Sequence, residues 1–267
     1  MPFSAEKSPV LIVDIGNTNI VCAVFYSGEV KDLCRLETDT DCSVESLHQQ
    51  FLTALPQYCS IPFVALGSVV PLMSVVLKQM FARYSPARLY EINGLSPLGL
   101  GYLIENPSVV GADLVANAFA AWQLYQGSSL VVDLGTATTI QLINGSGLYA
   151  GVVIAPGMKT AAAHLFEKAA QLSKINLEAP GCILGNNTHD AMLSGIVRGH
   201  ALMIHAFIDQ ISEGYAQWGP YQVILTGGLA GVIQPLMPNS YIHDAQHTLK
   251  GFYLALMRLI EQENNAS

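Results

Sequence analysis

Val13-Asp14-Ile15-Gly16-Asn17-Thr18 reads as the end of one strand, a turn and the start of another. The same phrase returns as Val132-Asp133-Leu134-Gly135-Thr136-Ala137-Thr138. Apolar runs flank both copies: Pro9 to Val13 and Ile20 to Phe25 around the first, Leu130 to Val132 and Ile140 to Ile143 around the second. Strand, Asp-x-Gly-polar turn and returning strand make a hairpin that gathers a carboxylate and several small-residue N–H groups at one point. Amides and hydroxyls of such a turn can hold a phosphate while the carboxylate holds a cation. Turn chemistry alone would explain one copy, because Asp, Gly and Thr suit hairpin turns for conformational reasons. Two copies in matching settings predict a duplicated fold with a nucleotide between its halves.

Working outward, residues 9–15, 20–26 and 30–37 read as a three-stranded meander. A helix then opens at Ser43, with Glu45 and Ser46 in its first turn, and runs to Leu55. A buried strand over 61–69, a helix over 71–84 with Pro71 at its start and a strand over 87–92 complete a β-β-β-α-β-α-β order. The second half repeats it: strands at 129–133, 138–143 and 147–154, helices at 157–171 and 188–214, strands at 221–226 and 240–243, and a closing helix at 246–262. A Gly- and Pro-rich stretch from Gly94 to Gly111 and an apolar helix from Ala112 to Tyr125 join the halves. The expected division is 1–112 and 113–267. Three antiparallel strands followed by alternating helix and strand, twice, resembles the actin-like ATPase superfamily. That likeness implies ribonuclease H-like α/β halves with an ATP site in the cleft between them.

Composition narrows the function. Hydrophobic residues make up 51% and charged residues 12% of the 267, which predicts a well-buried globular chain. A net charge of −8 with no basic run argues against a nucleic-acid groove or an anionic membrane surface. With so few cations, phosphate must be neutralised by backbone amides and bound metal. Five cysteines without a C-x-x-C spacing suggest reduced thiols in a cytosolic protein. No basic n-region precedes the first apolar stretch, and no apolar run is expected to reach the length of a membrane helix.

Four places carry candidate chemistry. In the first turn, Gly16 allows close backbone approach to an oxygen, Asn17, Thr18 and Asn19 add uncharged donors, and Asp14 can take Mg²⁺. In the second, Asp133 can coordinate a cation and Thr136 a phosphate. Thr226-Gly227-Gly228 follows a strand and leaves bare backbone on which a flat group such as adenosine could lie. Asp113 is an isolated carboxylate at the start of an apolar helix, suited either to capping free N–H groups or to acting as a general base. Other patterns carry nothing. Gly99-Leu100-Gly101 lacks the context of a dinucleotide fingerprint, and no P-loop is present. His243 and His247 lack a third ligand, and His200 and His205 are spaced to miss each other on a helix.

Read in order, Asp14-Ile-Gly-Asn-Thr18, Asn106-Pro-Ser-Val-Val-Gly111-Ala-Asp113, Asp133-Leu-Gly-Thr-Ala-Thr-Thr139, Ala155-Pro-Gly157, Gly185-Asn-Asn-Thr188, Thr226-Gly-Gly228 and Thr248-Leu-Lys-Gly251 resemble the type III pantothenate kinases, also called the Bvg accessory factor family. The likeness spans nearly the whole chain. It implies ATP-dependent phosphorylation of pantothenate to 4′-phosphopantothenate, the first step to coenzyme A, by a cytoplasmic homodimer using Mg²⁺ and a monovalent cation, K⁺ or NH₄⁺. Carried over by position, Asp14, Ile15, Gly16, Asn17, Thr18, Asn19, Ile20, Val21 and Thr136 would bind ATP, and Asp14 could also meet Mg²⁺. Asp113 would be the base, Asp133 would hold the monovalent cation, and Gly111, Ala112, Asp113, Leu114 and Thr188 would contact pantothenate. Three positions depart from the family pattern: Leu114 stands where Arg is usual, Ile104 where Tyr is usual, and Gln141 where an acid is usual. Loss of that Arg removes a charge-assisted hydrogen bond to a carboxylate substrate, of about 1.5–3 kcal/mol. A kinase for another small hydroxylated acid, or a non-catalytic nucleotide-binding regulator, are the alternatives.

Overall fold

The computed structural model of the chain describes residues 8–125, 127–169 and 174–266. They form two compact units. One comprises the chain up to Leu100 with Glu105–Ala120 and the stretch from Thr248 on; the other comprises Gly101–Ile104 and Ala121–His247.

The first unit begins with the meander β1 (Val10–Ile15), β2 (Asn19–Tyr26) and β3 (Glu29–Glu37). It continues through α1 (Val44–Ala54), β4 (Phe63–Ser68), α2 (Pro71–Tyr84) and β5 (Arg88–Glu91). The sheet order is β3-β2-β1-β4-β5, with β4 parallel to β1 and β5 parallel to β4. Central β1 is covered on both faces, so its residues are a continuous apolar run up to Asp14; edge strand β3 alternates instead. One face packs Leu11, Val13 and Ile15 on Leu47 and Phe51 of α1 and on Leu77 and Phe81 of α2. Ser43 caps α1 by accepting the Ser46 N–H at 3.1 Å.

The chain passes through β6 (Gly101–Tyr102) and α3 (Ala112–Leu124) into a second meander: β7 (Ser128–Leu134), β8 (Ala137–Ile143) and β9 (Leu148–Pro156). Next come α4 (Met158–Lys168), α5 (Thr188–Leu193), a π-helical turn (Ser194–Arg198) and α6 (Gly199–Gly214). Then follow β10 (Tyr221–Thr226), α7 (Ala230–Ile233), β11 (Ile242–His243) and α8 (His247–Ala266). The order β11-β10-β7-β8-β9 repeats that of the first sheet, so the duplication is real. β6, unanticipated in the sequence, adds to the edge of β9. The expected helix over 157–171 ends at Lys168 in the structure, and its last two positions lie outside the described residues.

One expectation needs correction. The helix running without interruption over Thr188–Gly214 is long and apolar enough, by length and composition, to cross a membrane. Leu193, Val197, Ala201, Ile204 and Ile208 on it are buried in the second core, which accounts for the apolar content. In the first unit α8 lies on the other face of the sheet. Tyr253 stacks on Phe25 at 4.8 Å, and a Cβ at Gly67 would meet the Phe252 ring at 2.2 Å. At Gly251 a Cβ would come 2.0 Å from the Ala116 carbonyl oxygen, so α8 touches the backbone of α3 there.

Candidate active site

The two turns are built alike but are not equal. In the first, β1 and β2 close at Ile15 opposite Ile20, and the Gly16 N–H donates to Asn19 C=O at 3.0 Å, leaving Asn17 and Thr18 exposed at the tip. In the second, Leu134 stands opposite Thr138 and the Gly135 N–H donates to Ala137 C=O at 3.0 Å, so Thr136 alone makes the tip. The second turn is one residue tighter.

Each turn is held from behind by a threonine just past the third strand of its meander. Thr38 donates its hydroxyl to Gly16 C=O at 2.7 Å and its N–H to Thr18 C=O at 3.1 Å. Thr160 donates its hydroxyl to Thr136 C=O at 2.7 Å, and the Gly157 N–H donates to the same oxygen at 3.1 Å. Carbonyl oxygens that would repel a phosphate are thereby occupied. A Cβ at Gly157 would lie 2.4 Å from the Gly135 oxygen and 2.5 Å from the Thr136 oxygen, so only glycine fits in Ala155-Pro-Gly157. Sequence reasoning missed both threonines, because their partners are 22 and 24 residues away.

Asp14 and Asp133 are half-buried at matching ends of β1 and β7. Asp133 pairs with Thr139 on β8 and Thr226 on β10, which puts all three side chains on one face. The hydroxyls of Thr139 and Thr226 are buried without a hydrogen-bond partner. Gly227, at φ 89°, lies against the carboxylate: a Cβ there would come 2.4 Å from Asp133 Oδ1 and 2.6 Å from the Leu134 nitrogen. At Gly227 the space a Cβ would take is therefore filled by the protein itself, while Gly228 is exposed.

Asp113 stands in the first turn of α3. Leu114 donates its N–H to Asp113 Oδ1 at 2.8 Å. Burial pushes the Asp113 carboxyl above the ordinary aspartate range, and the Leu114 and Asp113 amides only partly offset it. A Cβ at Gly111 would come 2.5 Å from Asp113 Oδ1 and 3.2 Å from Val69, so glycine there keeps the carboxylate uncovered. Preceding it, Asn106 accepts the Ser108 N–H at 3.0 Å and caps a 3₁₀ turn over Pro107–Val109. The first unit brings Asp14 and Asp113 to one region through the end of β4. Gly67 pairs with Asp14 and faces Ala112, and the Val69 N–H donates to Ile15 C=O at 3.0 Å. The side chains of Ile15, Ile20, Ala112 and Leu114 are buried.

The second unit holds a pocket of about 810 Å³ lined by Met158, Leu165, Asn187, Thr188, His200 and Met203 among others. Thr188 opens α5, capped by Asn187, which accepts the Asp190 N–H at 2.9 Å. Gly185 is forced: a Cβ would meet the Ala191 nitrogen at 2.1 Å. His200 reaches Thr138 Oγ1 at 2.7 Å, and burial holds its ring below the usual histidine range, hence neutral. Thr138 lies two residues past Thr136, so His200 ties the pocket to the second turn. Its spacing from His205 concealed this role. Near the pocket, Arg198 donates to Pro180 C=O at 3.0 Å, and Lys159 is exposed beside pocket-lining Met158.

The sequence model of type III pantothenate kinases matches residues 10–210. The chain belongs to the type III pantothenate kinase family. A type III pantothenate kinase of Thermomicrobium roseum is 35% identical over 255 residues, covering 94% of this chain and 97% of the relative. The activity is ATP-dependent phosphorylation of pantothenate, the step that opens coenzyme A biosynthesis. Two solved structures share the fold. One, described as a conserved Baf family transcriptional activator from Campylobacter jejuni, superposes with a TM-score of 0.60 at 20% identity over 96% of this chain and 100% of its own. The other, component A of the Acidaminococcus fermentans (R)-2-hydroxyglutaryl-CoA dehydratase, gives 0.55 at 14% identity over 96% and 99%. The fold of this kinase is thus the actin-like ATPase fold expected from its duplicated hairpins.

Proposed function

We propose that the residues of this kinase divide the reaction as follows. Asp113 takes the proton from the pantothenate hydroxyl that receives the phosphoryl group. A desolvated carboxylate with raised proton affinity, fixed by the Leu114 N–H and left uncovered by Gly111, is the observation that carries this reading. Gly111, Ala112 and Leu114 hold the substrate beside it, chiefly through main chain, and Thr188 contacts it from α5. Asp14, Ile15, Gly16, Asn17, Thr18, Asn19, Ile20 and Val21 bind ATP with Thr136, through amides whose neighbouring carbonyls Thr38, Thr160 and Gly157 occupy.

Two cations complete the chemistry. Asp14 suits Mg²⁺, which characteristically takes one or two protein carboxylates and otherwise phosphate and water oxygens. Asp133 suits K⁺ or NH₄⁺, and the unpartnered hydroxyls of Thr139 and Thr226 beside it form an all-oxygen donor set. Bound there, the ions supply positive charge against the phosphates, which a chain of net charge −8 lacks. The protein acts in the cytoplasm as a homodimer. An ATP-coupled assay with pantothenate and a panel of other acceptors, with and without K⁺, tests this reading. Turnover on pantothenate that requires K⁺ and collapses in Asp113→Asn supports it. Turnover confined to another acceptor would move the specificity to Leu114, and full turnover in Asp113→Asn would remove the base.

A further inference from the structure

Nothing in the spacing of the five cysteines pairs them, but the fold does. Cys22 on β2 and Cys34 on β3 are directly opposed in the antiparallel ladder, between the pairs Val21–Arg35 and Ala23–Leu33. Directly opposed residues project from one face. Here Cys22 is fully buried in the first core and Cys34 is half-buried at its rim. Opposed Cα atoms in such a ladder are about 4.5 or about 5.5 Å apart, both within the ~4.4–6.8 Å that a disulfide spans. The two side chains are therefore neighbours on one face of the β2–β3 ladder.

The two thiols differ in setting. The neighbouring Cys34 and enclosure push the Cys22 thiol up, so it keeps its proton. The neighbouring Cys22 thiol holds Cys34 below the ordinary thiol range. Thiolate character, partial access and a second thiol in contact are the properties of a cysteine that exchanges with disulfides. Among the other cysteines, Cys182 is exposed, while Cys42 and Cys59 belong to the first core or its rim.

We propose that Cys34 and Cys22 form a dithiol–disulfide couple oxidised by low-molecular-weight disulfides. The Cys34 thiolate attacks one sulfur of the small disulfide, forming a mixed disulfide and expelling one small thiolate. Cys22 then loses its proton to solvent and attacks Cys34 Sγ, breaking the mixed disulfide and expelling the second small thiolate. The protein gives up two electrons and two protons, and the small disulfide is reduced to two thiols. This chemistry goes beyond the kinase reaction and does not depend on it.

The test incubates the reduced, full-length protein with oxidised glutathione, quenches, alkylates and maps the peptides by mass. The expected product is a single peptide pair joined through Cys22 and Cys34, released by dithiothreitol. In Cys22→Ala a glutathione adduct persists on Cys34. Recovery of Cys22 and Cys34 as alkylated thiols while Cys182 carries glutathione would overturn the proposal. A bond joining any other pair would do the same. The wild-type map decides the matter whether or not Cys22→Ala folds.

Discussion

Asp113 is held in a state that costs the fold something. Its carboxyl is more easily protonated in the folded protein than in the unfolded chain, because burial disfavours the charge. Stability from such a group is fully present below the unfolded pKa and is lost as pH rises through the folded one. Asp113→Asn therefore melts higher than wild type at neutral pH and equally at pH below the ordinary aspartate range, as thermal unfolding at the two pH values will show. The same substitution lowers kcat by about 10²–10⁴-fold. If Asp113 is the base it works only when ionised, so the acid limb of wild-type kcat lies above the ordinary aspartate pKa, and Asp113→Asn abolishes that limb. Thr226 gives a second residue-scale test. Its buried hydroxyl has no partner, so Thr226→Val leaves the melting temperature unchanged or raised. If the hydroxyl helps Asp133 hold K⁺, the K⁺ concentration for half-maximal activity rises.

Among the elements, the hairpins were the most legible part of the chain. Apolar runs on either side of Asp-x-Gly predicted β1, β2, β7 and β8 within a residue or two at each end, and Ser43 and Pro71 marked the helix starts. What escaped the sequence is what long-range packing decides. The Thr38 and Thr160 clamps join positions with no local signature. The π-helical turn at Ser194–Arg198 places His200 against Thr138, and no period in the sequence announces it. Gly227 was legible as a turn residue, but not as a seat for Asp133. Thr38→Val and Thr160→Val each free a carbonyl oxygen at a turn tip and raise KM for ATP with little change in kcat. Gly251→Ala drives a methyl into the Ala116 carbonyl where α8 crosses α3. Overpacking of this kind costs about 1–3 kcal/mol, measurable by urea unfolding.

For the whole molecule, the acidic balance and scarcity of cations are what the proposed Mg²⁺ at the nucleotide site would offset. Mg²⁺ with ATP at a hundredfold excess over Kd stabilises the fold by about 2.7 kcal/mol. EDTA removes that gain and the turnover together; a melting temperature that rises equally with ATP in EDTA would show that the turns bind nucleotide without the ion. The unit assignment has a different consequence, for synthesis. The sheet holding Asp14 draws its covering helix from the stretch beginning at Thr248, which follows the whole of the second unit. The second unit is complete in the emerging chain by His247. On the ribosome, the half that is made first is therefore finished last. Until α8 emerges, Gly67 and Phe25 wait, unroofed, for Phe252 and Tyr253.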